Sequence, residues 1–165
     1  MIDQIKKSEN PIYVLMISLH GLIRAKDLEL GVDADTGGQI TYVIELARAL
    51  ASHTGVDKVD LLTRLIEDDS LASDYAKTEE PICEGAQIIR LSCGPKRYLR
   101  KELLWPHLDQ VVDKALHYIR QQGRIPDLIH SHYADAGYIG QQFPCYLESR
   151  KCILGILSGV LNAIA

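Results

Sequence analysis

The chain has 165 residues, a length that corresponds to one domain or at most two. Its 18 Lys and Arg residues against 22 Asp and Glu residues give a net charge of −4, which argues against a protein that binds nucleic acid by neutralising phosphates. A hydrophobic content of 47% and a charged content of 24% are typical of a globular domain and exclude intrinsic disorder.

The cysteines and the terminal segments indicate the cellular compartment in which the protein is expected. The four cysteines, at positions 83, 93, 145 and 152, include no Cys-x-x-Cys pair, which argues against a zinc knuckle or a redox pair. Residues 1–10 are polar and lack the apolar core of a secretion signal. We therefore expect a cytoplasmic protein whose cysteines are reduced and buried. The apolar stretch 152–165 is shorter than the roughly 18 to 20 residues of a membrane span, so no membrane association is expected.

The first half of the chain reads as alternating strands and helices. Residues 12–19 form a continuous apolar run, which predicts a strand buried on both faces of a parallel sheet. A long loop over 20–36 precedes a helix at 39–51, which is indicated by its i, i+3, i+4, i+7 apolar spacing. Further strands are predicted at 59–63 and 86–91, with an acidic loop or short helix between them over 67–80.

The second half continues this pattern. A helix is predicted from about Glu102 to Gln122, with Pro106 in its first turn and Gly123 after its end. A fourth strand follows at 127–130. Strands that alternate with helices indicate βαβ units, so we predict an α/β fold with a Rossmann-like parallel sheet and flanking helices.

The first candidate site is the segment Asp-Ala-Asp-Thr-Gly-Gly-Gln at 33–39, between the first strand and the first helix. Ligands of open α/β sheets bind beyond the carboxyl ends of the strands. Gly37 and Gly38 let the backbone approach a ligand closely and tolerate positive φ, and the N-terminus of the helix favours an anion such as a phosphate. The segment matches neither GxGxxG nor GxxxxGK[ST], and a glycine-containing helix cap without a ligand fits it equally well.

The second candidate site is the segment 130–137, where a strand gives way to a helix. If the strand continues through His132, then His130 and His132 share one face and could bind a metal together with Asp135. The sequence holds no second metal-like cluster, so we expect no metal and favour a turn that faces a sugar or a phosphate. A hydrogen-bonded turn in which Asp135 caps the helix is the alternative.

Two further segments contain residues that could contact a ligand. Four cations between positions 96 and 101 precede the second helix, and such side chains bind phosphorylated substrates. A solvated basic loop explains the same pattern. His20 follows the first strand, where it could touch a ligand or cap the turn.

Seven motifs appear together in a specific order. They are Ile-Ser-Leu-His-Gly-Leu-Ile-Arg at 17–24, Leu-Glu-Leu-Gly at 28–31, Asp-Ala-Asp-Thr-Gly-Gly-Gln at 33–39, Tyr-Val-Ile-Glu-Leu-Ala-Arg-Ala-Leu at 42–50, Val-Asp-Leu-Leu-Thr-Arg at 59–64, Lys-Glu-Leu-Leu-Trp-Pro at 101–106 and His-Tyr-Ala-Asp-Ala-Gly at 132–137. Over residues 12–142 the chain resembles the N-terminal part of the sucrose-phosphate synthase family. Sucrose synthase shares the Asp-Thr-Gly-Gly-Gln core, although its start usually reads differently.

The resemblance implies the N-terminal half of a GT-B fold in a retaining glycosyltransferase. Such an enzyme transfers glucose from UDP-glucose to fructose 6-phosphate in sucrose biosynthesis, with no tightly bound cofactor, and the motifs do not indicate whether Mg²⁺ takes part. By the resemblance, Gly38 and Gln39 lie at the reaction centre. The substrate-binding residues that it implies are Gly37, Gly38, Gln39, Lys101, Tyr133 and Asp135.

The end of the chain departs from the family. We expect a polar leader at 1–10, an acceptor-side domain at 11–142, and a divergent apolar tail at 143–165 that is inserted, rearranged, or locally diverged and packed as a core helix. The family's Thr-Gly-His-Ser-Leu-Gly motif and its C-terminal donor domain are absent. We therefore expect no glucosyl transfer by this chain alone, and a separately encoded C-terminal half is a candidate partner.

Three alternatives stay open at this point. They are a sucrose synthase fragment, a non-catalytic module that binds sugar phosphates, and a metal-dependent hydrolase built on His130, His132 and Asp135.

Overall fold

A computed structural model describes residues 10–28, 38–147 and 153–157. In these parts the chain forms one six-stranded sheet with three α-helices. The strands are β1 (Ile12–Ile17), β2 (Val56–Arg64), β3 (Glu79–Cys83), β4 (Ala86–Leu91), β5 (Leu128–His132) and β6 (Ile153–Leu157). The helices are α1 (Gly38–Ala51), α2 (Leu108–Gln122) and α3 (Tyr133–Leu147).

The sheet has the order β3-β4-β2-β1-β5-β6. Neighbouring strands run parallel except β3 and β4, which are antiparallel. From β1 the chain builds outward to β2 and β4, then crosses back to place β5 on the other side of β1. The predicted α/β fold with a mainly parallel sheet and flanking helices is confirmed.

Strand β1 lies between two apolar layers, one on each face of the sheet. Its residues Tyr13 to Ile17 are all 0% exposed. Tyr13, Leu15 and Ile17 belong to the core that includes α2 and α3, whereas Val14 and Met16 belong to the core that includes α1. Because each face of the strand meets a helical layer, the segment needs apolar side chains at every position, and this explains the continuous apolar run in the sequence.

The second helix begins later than its spacing predicts. Two 3-10 turns, Lys101–Leu103 and Trp105–His107, precede the α-helix, which starts at Leu108. Pro106 has no N–H to donate and restricts the residue before it, so the chain forms separate tight turns ahead of the regular helix. The predicted end is confirmed, since Gly123 caps α2 in the left-handed conformation with φ of 67°.

Strand β3 was not predicted by the sequence pattern. The segment 67–80 contains the expected short helix, a 3-10 turn at Ser73–Ala76, but the chain then forms β3 along the outer edge of β4. Edge strands commonly carry charges and proline, which protect them from pairing with other chains. Because β3 contains Glu79, Glu80 and Pro81, it lacks the apolar alternation by which strands are predicted.

The segment after residue 142 adds to the same sheet where it is described. Helix α3 continues to Leu147 and buries Phe143, and residues 153–157 pair in parallel with β5 as a strand rather than as a core helix. The domain boundary at residue 142 stays a prediction. Cys93 is a buried free thiol, but Cys83 is an exposed one, which corrects the expectation that the cysteines are buried. No helix in the described ranges is both long and apolar enough to cross a membrane.

A buried carboxylate ties the amino-terminal end of the sheet to α2. The Asp60 carboxylate on β2 is fully buried and accepts hydrogen bonds from the Tyr13 hydroxyl at 2.6 Å, the Tyr118 hydroxyl at 2.8 Å and the Gln87 amide at 2.9 Å. The Lys58 ammonium lies 3.0 Å from the same group. Burial and the adjacent Asp60 charge raise the pKa of both tyrosines, so both keep the protons that they donate.

We predict that Asp60→Ala lowers the free energy of unfolding by about 3 to 5 kcal/mol, because it leaves several buried donors and a cation without their acceptor. Urea denaturation measures this loss. Asp113→Ala removes an exposed carboxylate from α2 and is the matched control, with an expected change within about 0.5 kcal/mol. Equal stability of Asp60→Ala and wild type would show that the network contributes little.

Candidate functional site

The candidate site lies where the order of the strands reverses. The carboxyl ends of β1 and β5 are adjacent, and the chain leaves them in different directions, towards the loop before α1 and directly into α3. Such a reversal opens a crevice at the carboxyl edge of an α/β sheet, where ligands of these folds bind. The segments that carry His20, Lys101 and Tyr133 each follow the carboxyl end of a parallel strand and so emerge at this one edge.

His20 joins the two sides of the crevice. Its Nδ1 lies 3.0 Å from Asp135 Oδ2 at the start of α3, and its Nε2 lies 3.1 Å from Gln39 Oε1 at the start of α1. The imidazole and the carboxylate are both almost completely buried, at 3% and 4% exposed. An ionised carboxylate can only accept, so Nδ1 donates to Asp135 and the ring orientation is fixed. Two predicted site residues, Gln39 and Asp135, are thus linked through a histidine that the resemblance did not assign.

Tyr133 is held in an unusual backbone conformation beside this histidine. It is the first residue of α3, its φ is 73°, and its side chain is 39% exposed. The Tyr133 ring contacts the His20 ring edge-to-face, with the centroids 4.7 Å apart. Positive φ is costly for a large side chain, by about 1 to 3 kcal/mol, and such strain concentrates at functional sites.

The start of α1 is open to a ligand. Gly38 begins the helix, and a Cβ atom placed on it would meet no atom of the described residues within 4 Å. The Gln39 Nε2 atom is buried and has no hydrogen-bond partner among the described residues. Gly37, together with Asp33, Asp35 and Thr36, lies outside the described residues.

His130 and His132 share one face of β5, as the strand periodicity predicts. Their rings stack with centroids 4.6 Å apart, and the His132 ring also meets the Tyr42 ring edge-to-face at 5.9 Å. Burial, with a smaller effect of His130, lowers the pKa of His132 to about 4, and burial also lowers the pKa of His130. Asp135 does not join them because its carboxylate bonds to His20. Within the described ranges no three His, Cys, Asp or Glu side chains converge to hold a metal. The proposed metal-dependent hydrolase needs Asp135 beside the two histidines, and its contact with His20 speaks against that.

Lys101 lies in the basic loop, residues 94–101, which follows β4 at the same edge of the sheet. Two strand positions, β2 and β1, separate β4 from the crevice beside β5. The exposed Lys96 ammonium is 2.5 Å from the Glu67 carboxylate, and Arg100 lies 3.9 Å from Glu102. Lys101 itself is exposed at the head of the first 3-10 turn. The structure thus places Lys101 at the predicted edge, while the direct contacts join Gln39, Tyr133 and Asp135 through His20.

Comparison with known proteins shows the family of this chain. Residues 5–154 match a family model described as the sucrose synthase first GT-B domain. The chain belongs to this family.

Curated relatives of this GT-B domain are named sucrose-phosphate synthase. The protein of Spinacia oleracea is 44% identical over 156 residues, and that of Zea mays is 38% identical over 179 residues. The alignments cover 78% and 93% of this chain but 15% of the length of either relative. A solved structure of sucrose-phosphate synthase from Thermosynechococcus elongatus superposes with a TM-score of 0.69 at 27% identity, over 91% of this chain and 33% of that one. The resemblance that the motifs predict is confirmed.

The lowered pKa of His132 predicts acid sensitivity. In the unfolded chain a histidine titrates near 6.5, so between pH 6.5 and 4 the unfolded state binds a proton that the folded state does not. The free energy of unfolding should therefore fall by about 3 kcal/mol as the pH drops through this range, and it should be insensitive to this group above pH 6.5.

Urea denaturation at several pH values tests this. We expect His132→Asn to flatten the dependence between pH 4 and 6.5, whereas His117→Asn, which changes an exposed histidine on α2, should leave it unchanged. An unaltered pH profile in His132→Asn would contradict the assignment.

Proposed function

We propose that this chain is the acceptor-binding domain of a sucrose-phosphate synthase, which transfers glucose from UDP-glucose to fructose 6-phosphate. The observation that carries the proposal is the His20 bridge between Asp135 and Gln39 at the crevice, because it brings predicted site residues from α1 and α3 together. The names and identities of the relatives support the substrate class. The chain covers 15% of those relatives, so the activity of a whole enzyme is part of this proposal.

The polar groups at the crevice suit a sugar. The Gln39 amide lies beside His20 at the crevice, and an amide can both donate to and accept from the hydroxyls of an acceptor. The partly exposed Tyr133 contributes a hydroxyl and an aromatic ring. Asp135 orients His20 rather than facing the ligand directly, since one of its oxygens accepts from His20 and the other accepts from the Ala136 N–H at 2.9 Å.

The basic loop suits the phosphate of such an acceptor. Lysine and arginine side chains donate charge-assisted hydrogen bonds to phosphate oxygens. We assign this role to Lys101, which lies in an otherwise acidic protein. A sucrose synthase would take unphosphorylated fructose and would gain nothing from this cation, so the loop favours sucrose-phosphate synthase over that alternative.

In the proposed reaction these residues position the acceptor and leave the donor to the rest of the enzyme. Gly38 leaves room for close approach of the reacting groups at the N-terminus of α1, where the helix dipole favours negative charge. Gln39, held by His20, would orient the attacking hydroxyl. We propose UDP-glucose as a substrate rather than a resident cofactor. We also propose the cytoplasm as the location, since a reducing compartment would keep the Cys83 and Cys93 thiols free.

Isothermal titration calorimetry of the chain with fructose 6-phosphate and with fructose tests the proposal. We expect saturable binding of fructose 6-phosphate and weaker binding of fructose, because only the phosphorylated sugar engages Lys101. Equal affinity for the two sugars would favour a sucrose synthase type of site. Absence of binding by either sugar would refute the proposed acceptor site.

We predict that Lys101→Ala weakens the binding of fructose 6-phosphate by about 1.5 to 3 kcal/mol, roughly 10- to 150-fold in Kd, because it removes a charge-assisted hydrogen bond. Lys114→Ala removes an exposed lysine of α2 outside the basic loop and should leave the affinity unchanged. Unchanged affinity in Lys101→Ala would remove Lys101 from the site.

A further inference from the structure

Arg64 is a buried cation without a carboxylate partner in the described part of the chain. It is the last residue of β2, at the carboxyl edge of the sheet, and is 3% exposed. The other arginines that hold loops in place do have such partners, since Arg90 pairs with Glu80, and Arg124 pairs with Asp57 and Asp127. Burial lowers the pKa of Arg64, but an arginine titrates so far above neutrality that the guanidinium stays charged.

The guanidinium holds one segment of the chain. Its Nη1 donates to the Pro95 carbonyl at 2.5 Å, and its Nη2 donates to the Arg97 carbonyl. Two backbone bonds join the same loops, from the Glu67 N–H to the Lys96 carbonyl at 2.9 Å and from the Leu65 N–H to the Leu91 carbonyl at 2.9 Å. Both carbonyls that Arg64 holds belong to the basic loop.

The basic loop is also fixed at its start and near its end. Gly94 has φ of 61°, its N–H donates to Gln110 Oε1 at 3.0 Å, and a Cβ there would lie 2.7 Å from the His107 ring. Leu99 is buried in the core that includes α2. The loop from Gly94 to Leu99 is therefore held at both ends, and it ends two residues before Lys101.

Burying a charge costs free energy, and a neutral side chain would avoid that cost. The planar guanidinium differs from such a side chain because it can donate to two carbonyls in a fixed geometry. A buried guanidinium at the carboxyl edge therefore indicates that the conformation of the basic loop matters for function as well as for stability.

We propose that Arg64 is a positioning residue for the phosphate of the acceptor, which acts by holding the basic loop so that Lys101 meets that phosphate. The inference rests on the proposed function, in which Lys101 binds the phosphate. It adds a residue that touches no substrate and that the motifs alone do not distinguish from the rest of the strand.

The test compares binding of fructose 6-phosphate in Arg64→Gln, Lys101→Ala and the double variant by calorimetry. Arg64→Gln should weaken binding about tenfold in the wild-type background but less than about twofold in the Lys101→Ala background, because its effect passes through Lys101. Arg124→Gln removes a loop-holding arginine between α2 and β5, at the opposite edge. It should lower the melting temperature without changing the affinity.

The outcomes separate the two proposals. If wild type binds fructose 6-phosphate and Arg64→Gln binds equally well, or if the two substitutions act independently, the role of Arg64 is overturned while the proposed function stands. If wild type does not bind the ligand, both fail. Should Arg64→Gln not fold, Arg64→Lys gives the same comparison, since it keeps the charge but cannot donate to both carbonyls in the fork geometry. It should also lose affinity only when Lys101 is present.

Discussion

The position of β1 between β2 and β5 is the constraint on which the rest of this molecule depends. Both edges of the strand are paired and both faces are covered, so its side chains are fully buried. Moving the strand by one residue would exchange its two faces and mismatch both helical layers at once. The same placement makes the chain reverse its direction of growth at β1, and this reversal opens the crevice beside His20.

The crevice assembles groups that are far apart in the chain. His20 and Asp135 are separated by 115 positions, yet their side chains meet because β1 and β5 are neighbours and end at the same edge. The opposite edge holds a comparable junction in the Asp60 network. The His20 junction leaves polar and aromatic groups at an open crevice. The Asp60 network is covered by Tyr13 and Tyr118, and its role is to hold the core together.

Much of the fold could be predicted from the sequence because the patterns that determine it are local. The apolar run at 12–17, the amphipathic spacing of α1 and the glycine after α2 each determine their own segment. The start of α2 was predicted wrongly because Pro106 suits the first turn of an α-helix as well as the tight turns that the chain forms here. Strand β3 was not predicted because an edge strand depends on its pairing with β4. The sequence indicated Gln39, Asp135 and His20 as candidate site residues, but the hydrogen bonds by which His20 joins the other two depend on the pairing of β1 with β5. Arg64 was hidden for the same reason, since its partners are backbone carbonyls without a sequence signature.

The left-handed conformation of Tyr133 has a consequence for any effort to stabilise this protein. A glycine at that position would adopt the same φ without strain, so selection for thermal resistance alone would favour replacing the tyrosine. The replacement would also remove the ring that packs on His20. Directed evolution towards heat tolerance would therefore tend to remove this part of the crevice unless ligand binding were selected at the same time.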